Sequence, residues 1–127
     1  MIFHLAIPAR DIEESVKFYS QLGQLGRKDT TWAIFNVEGI QLVCHLWPEM
    51  PIKPTMYPRH FGFIIDDVAA FDRFYNKCKD NRLPFFEDCF VRFRNEPAEH
   101  ETFFLKDPSN NVIEFKCYKN KDSIFGI

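Results

Sequence analysis

His4-Leu5-Ala6-Ile7 opens a stretch that ends in Phe18-Tyr19, and His60-Phe61-Gly62-Phe63 opens one that ends in Phe74-Tyr75, displaced from the first by 56 residues without a gap. The same displacement puts Asp11 on Asp67 and Ile12 on Val68. Self-similarity at a fixed period marks a repeated structural unit. The chain therefore reads as two copies of one supersecondary unit, with two of its four histidines at equivalent places. His4 and His60 are then related by the pseudo-symmetry of the copies and can converge on one point.

Working outward, the first copy begins with an apolar run over residues 2–8, and Asp11-Ile12-Glu13-Glu14 has the pattern of a capping box. Ile12, Val16, Tyr19 and Leu22 then recur at helical spacing, and Gly23 is expected to stop the helix. Residues 24–29, 31–37 and 40–47 read as strands, the last two joined by a tight hairpin at Glu38-Gly39. In the second copy residues 59–65 read as a strand. Asp67 caps a helix with Val68, Phe71, Phe74, Tyr75 and Cys78 on its apolar side, and Leu83-Pro84 ends it. Strands follow at 85–93, 101–106 and 112–118, the last two joined by Asp107-Pro108-Ser109-Asn110-Asn111, a turn-forming run. The expected class is α+β, with two tandem βαβββ modules at residues 1–47 and 59–118. A link with four prolines spans 48–58, and a tail spans 119–127, all within a single domain.

With 46% hydrophobic and 27% charged residues and a net charge of −2, the composition is that of a globular domain, without the basic footprint of a nucleic-acid binder. No stretch approaches the roughly 20 apolar residues needed to span a bilayer, and Met1-Ile2-Phe3-His4 does not begin a signal peptide, so a cytoplasmic, membrane-free protein is expected. Cys44, Cys78, Cys89 and Cys117 show no Cys-x-x-Cys spacing and read as reduced, buried small hydrophobes. The fifteen Phe suit either core filling or a cavity for a flat, apolar-bodied ligand.

Glu114 is the conspicuous polar residue. It interrupts the apolar strand Val112-Ile113-Glu114-Phe115-Lys116, where an ionised carboxylate is costly unless it is paired or bound to a metal. Two histidines and one carboxylate are a ligand set for oxygen chemistry at a mononuclear metal. His4, His60 and Glu114 would come from the first strand of each copy and the last strand of the second.

His4-Leu5-Ala6-Ile7-Pro8, His60-Phe61-Gly62-Phe63, and Phe104-Leu105-Lys106-Asp107-Pro108-Ser109-Asn110 followed by Glu114-Phe115 together resemble the vicinal oxygen chelate superfamily over nearly the whole chain. That family includes glyoxalase I, extradiol dioxygenases, methylmalonyl-CoA epimerase, and fosfomycin- and bleomycin-resistance proteins. The resemblance implies two modules forming a mixed sheet curled around the site, with His4, His60 and Glu114 as metal ligands. Glyoxalase I-like members carry a further glutamate on the last strand of module one. Here that strand reads Ile40-Gln41-Leu42-Val43-Cys44-His45-Leu46-Trp47, with no carboxylate until Glu49. The three-ligand set therefore looks like the extradiol dioxygenase branch, in which Fe(II) holds a catechol-type small-molecule substrate and leaves room for O₂. Mn, Ni, Co and Zn also suit these ligands. A glyoxalase- or epimerase-like lyase or isomerase, and a drug- or metabolite-binding protein, remain as alternatives.

Five further residues are candidates. His45 is read as a proton-moving helper, a fourth ligand or a structural histidine. His100, in a charged loop, is expected to be solvated unless it serves the site near Glu114. Arg92 and Arg94 flank Phe93 and are expected on one strand face, either solvated or clamping a substrate carboxylate. Tyr118 shares the face of Glu114 and is expected at the cavity mouth or the sheet edge. Short two-module chains of the resembled family often pair, which implies a homodimer.

Overall fold

In the computed structural model, which describes residues 1–49 and 53–126, the repeat shows first at the helix starts. Asp11 accepts the backbone N–H of Glu14 at 2.9 Å before α1 (Ile12–Tyr19), and Asp67 accepts that of Ala70 at 3.0 Å before α2 (Val68–Asp80). Each cap satisfies one of the N–H groups that a first helical turn leaves without an intrahelical partner. The capping box at α1 is only half made, because the Glu14 carboxylate pairs with the Arg10 guanidinium at 2.8 Å instead of reaching back to the cap. Residues 50–52 of the expected link, and Ile127 of the tail, lie outside the described residues.

The chain divides into two compact units, residues 1–54 with 107–111, and residues 55–106 with 112–126 of the described chain. In the first, β1 (His4–Ala9) precedes α1, and β2 (Gln24–Lys28), β3 (Trp32–Val37) and β4 (Ile40–Leu46) follow it. They form a mixed sheet in the order β1-β4-β3-β2, with β1 parallel to β4. In the second, β5 (Phe61–Ile64) precedes α2, and β6 (Phe85–Arg92), β7 (His100–Lys106) and β8 (Val112–Tyr118) follow, in the order β5-β8-β7-β6, with β5 parallel to β8. Both units are thus βαβββ modules, as the repeat predicts. Glu38 and Gly39 both have positive φ, the requirement of a tight hairpin turn, and Asn110 takes the left-handed conformation in the corresponding turn between β7 and β8.

Three local expectations need correction. Helix α1 stops at Tyr19, one turn before Leu22, because Gln21 and Leu22 donate to the carbonyls of Phe18 and Tyr19 in a tightened turn. Its buried face is Ile12, Ser15, Phe18 and Tyr19. Gly23 serves a close approach: a Cβ there would lie 2.2 Å from the carbonyl oxygen of Asn36. At α2, Val68 is 57% exposed at the first helical position, while Phe71 and Cys78 are buried. That helix ends with Arg82 at positive φ and Leu83 donating to the Cys78 carbonyl, a Schellman motif completed without glycine.

Six of the fifteen Phe are buried, and the densest cluster of rings surrounds Phe103. Phe103 is fully buried, and its ring lies 5.3–5.5 Å from those of Phe71, Tyr75, Phe85 and Phe115 and 6.1 Å from Phe74. Cys44, Cys78 and Cys117 are buried free thiols, and burial pushes Cys44 up to about 12. In the first unit, buried Asp107 accepts the Tyr19 hydroxyl at 2.7 Å and the Asn111 side-chain amide at 2.8 Å, with the backbone N–H groups of Ser109 and Asn111 on its other oxygen. Burial holds the Asp107 carboxyl above its ordinary range in spite of these bonds. Tyr19→Phe removes one donor from a buried carboxylate and is expected to cost about 1–3 kcal/mol, read from chemical denaturation.

Candidate metal centre

The second unit positions its polar groups through one glycine. Gly62 stands opposite Glu114 in the parallel pairing of β5 and β8, and a Cβ on it would lie 2.0 Å from the Glu114 carbonyl oxygen. Only glycine lets the two strands approach this closely. Two residues earlier, His60 reaches Glu114 itself, with Nε2 3.1 Å from Oε1. His60 Nδ1–H donates to the Met56 carbonyl, which leaves Nε2 as the nitrogen facing the carboxylate. Thr102 Oγ1 donates to Glu114 Oε2 at 2.7 Å, and Lys116 Nζ lies 3.9 Å from Oε1. Glu114 is 7% exposed and Thr102 fully buried, so the carboxylate is held from both sides out of solvent.

This pair fits a divalent cation. With Nδ1–H committed to a carbonyl, Nε2 meets Oε1 either by carrying a second proton or by turning its lone pair to a shared ion. Two donors about 2.1 Å from one ion at a right angle stand about 3 Å apart, close to the 3.1 Å seen here. A ligating histidine whose other nitrogen is bonded to a carbonyl, and a ligating carboxylate held by a hydroxyl, are the supports such a site needs. Among the described residues no group of three or more His, Cys, Asp or Glu side chains is set to hold a metal.

His4, the first residue of β1, is exposed in the first unit, where it lines a cleft of about 490 Å³ with Gln24, Asn36 and Gln41 on the polar side and Ile34 and Ile40 on the apolar side. That volume is in the range of small-molecule sites. His45 is exposed near the end of β4, paired with Pro8 and Trp32. His100 is not solvated: it opens β7, is 5% exposed, donates Nδ1–H to the Ala98 carbonyl and packs 4.8 Å from the Tyr118 ring. The alternation of β7 and β8 puts His100 and Tyr118 on the face of Glu114, but four residues along the strand, about 13 Å at strand rise. Thr102, and not His100, stands beside Glu114.

Arg92 pairs with His100 and so shares that face. Arg94 does not, because Phe93 takes a φ of +53°, which ends β6 and breaks the alternation. The Arg92 guanidinium donates to the Tyr57 hydroxyl and lies over the Tyr57 and Phe93 rings at 5.6 and 5.5 Å. Sequence reading missed Tyr57 and Thr102. Tyr57 lies in the proline-rich passage, where the only signal was an aromatic three residues before His60, and Thr102 is a polar residue inside an apolar strand.

Residues 1–115 match, by sequence, the Glyoxalase/Bleomycin resistance protein/Dioxygenase superfamily. The chain belongs to that superfamily. A crystal structure of a glyoxalase/bleomycin resistance protein/dioxygenase from Alicyclobacillus acidocaldarius is 43% identical, with a TM-score of 0.93 over 98% of this chain and 96% of that one. Two more distant superfamily folds are a fosfomycin resistance protein from Listeria monocytogenes (13% identical, TM-score 0.71) and a lactoylglutathione lyase from Agrobacterium tumefaciens (17%, 0.68), each covering 92% of both chains. No curated protein sequence matches the chain. Among the described residues no helix is long and apolar enough to cross a membrane.

Proposed function

We propose that this superfamily member is a metal-dependent enzyme of the extradiol dioxygenase kind, acting on a small molecule with two vicinal oxygens. The observation that carries the reading is the pairing of buried Glu114 with half-buried His60, with Met56 and Thr102 orienting the two members. His60, Glu114 and His4 would hold a divalent ion, Fe(II) before Mn, Ni, Co or Zn, which when bound supplies Lewis-acid binding of the two substrate oxygens and, as iron, reactivity toward O₂.

The chain's own residues have separable tasks. Thr102 keeps Oε2 of Glu114 occupied, so that Oε1 faces the site. Phe104, fully buried with its ring 5.6 Å from that of His60, keeps water from the ligand pair. The Nδ1–H of His100 is held by Ala98, which leaves Nε2 as a proton acceptor beside Tyr118, at the far end of the same face. His45 is the corresponding proton carrier of the first unit. His4 joins the site in a homodimer: it starts the edge strand β1, next to Ile2 and Phe3, which are 74% and 63% exposed. An apolar sheet edge of this kind is suited to burial against a second copy.

Protein reconstituted anaerobically with Fe(II) is expected to take up O₂ in proportion to added catechol at an oxygen electrode, and to lose the uptake when iron is chelated. Turnover of a hemithioacetal with Ni or Zn, and none of catechol with iron, would assign the lyase reading. A protein that holds no metal, and whose ligand affinity is indifferent to His4→Ala, would be a binding protein.

A further inference from the structure

We propose that Tyr57 and Arg92 form an anion clamp beside the His60–Glu114 pair, and that the substrate carries a carboxylate about one aromatic ring's length from the oxygens that meet the metal. The chelating half of this statement rests on the function proposed above; the clamp does not.

Arg92 is half-buried at the end of β6, on the same sheet face as Glu114. Its guanidinium carbon lies 5.6 and 5.5 Å from the centroids of the Tyr57 and Phe93 rings, and the group donates one N–H to the Tyr57 hydroxyl, which orients it and leaves its other N–H donors unassigned. Among the described residues it has no carboxylate within ion-pair distance. The acidic groups of this unit that make ion pairs are taken elsewhere: Glu114 by His60 and Lys116, Glu99 by Lys119, and Asp88 by Lys79. A pre-oriented, partly desolvated guanidinium without an acid is a site waiting for an anion. The Tyr57 hydroxyl accepts from Arg92 and so keeps its own O–H to donate to the same anion.

The distance to the metal ligands is set by Tyr57. Its ring centroid lies 5.9 Å from that of His60, edge to face, and 5.6 Å from the Arg92 guanidinium carbon. One ring therefore separates the clamp from the ligand pair. A single guanidinium with one hydroxyl matches a planar monoanion, a carboxylate, better than a dianionic phosphate.

The test uses two pairs of probes and calorimetric Kd values. Metal-free protein is titrated with phenylacetate and phenylacetamide, and Zn(II)-loaded protein, which cannot turn over, with 3,4-dihydroxyphenylacetate and 4-methylcatechol. Wild type is expected to prefer the acid of each pair by about 10- to 100-fold, the range of a charge-assisted hydrogen bond. Arg92→Gln is expected to erase that preference while leaving the neutral probes and the unfolding midpoint unchanged; Arg92→Lys should keep part of it. Tyr57→Phe, which retains the ring, should reduce it by about tenfold. If a folded Arg92→Gln protein still prefers the acids, or if wild type shows no preference in the metal-free pair, the clamp is overturned. If Zn(II) adds nothing to the affinity for either diol, the metal-centred function fails, and the phenylacetate pair still judges the clamp.

Discussion

Glu114→Gln is expected to lower metal affinity by more than about 100-fold, beyond the 10- to 100-fold usual for losing a residue that merely supports a ligand, and to leave the fold standing. Glutamine keeps the size of the side chain and one carbonyl oxygen to accept the Thr102 hydroxyl, which now lies 2.7 Å from Oε2. What it presents to His60 is an amide N–H in place of an anionic oxygen, so the metal-free pair stays hydrogen-bonded while the ligand is gone. The stability change should stay within about 1 kcal/mol, the size of one ordinary hydrogen bond. Thr102→Val should do the opposite. It keeps both ligands but leaves Glu114 Oε2 short of its donor, which costs about 1–3 kcal/mol and about 10- to 100-fold in metal affinity. Elemental analysis and metal titration, beside thermal unfolding, separate the two. Full metal occupancy in folded Glu114→Gln protein would remove Glu114 from the site.

Phe103→Ala is expected to cost about 3–5 kcal/mol, the range for deleting a large aromatic from a core. The ring lies at the centre of the second unit's core, against Phe71, Phe74, Tyr75, Phe85 and Phe115, and is fully excluded from water. Its neighbours come from the helix and from strands on both sides of β7, so no single one can move in to fill the space. Against a total of about 5–15 kcal/mol for an ordinary domain, this loss takes a large share of the stability. The denaturant midpoint should fall accordingly, and Phe103→Leu should recover most of the difference. A shift below about 1 kcal/mol, the scale of an exposed-site substitution, would mean that α2 does not depend on this ring.

Much of the architecture was legible because its signals are short-ranged. Asp11 and Asp67 act on a backbone N–H three positions ahead, and Glu38-Gly39 and Asn110 need only their own φ. Glu114 was legible as a buried acid because its strand neighbours are apolar, and burial bears that out. The failures were of another kind. Arg94 was placed with Arg92 on the assumption that Phe93 is extended, whereas Phe93 sits at positive φ, a conformation uncommon for an aromatic residue and not signalled by the neighbours. His100 looked solvated because four of the five residues around it are polar, charged or proline, yet the pairing of β7 with β8 lays it on Tyr118.

The sequence by itself determined the repeat, the βαβββ order of each module, and the residue types brought to the candidate site, since caps, turns and alternation are written within a few positions of one another. Tertiary structure alone decided which of those residues meet. The parallel pairing of β5 with β8, permitted by the missing Cβ of Gly62, brings His60 to Glu114; the register of β7 selects Thr102 as the partner of that carboxylate; and Met56 and Tyr57 reach His60 from a proline-rich segment without periodicity. Cross-strand register and ring contacts depend on groups far apart in the chain. A one-residue slip in register would turn the strand residues Thr102 and Glu114 to opposite faces of the sheet.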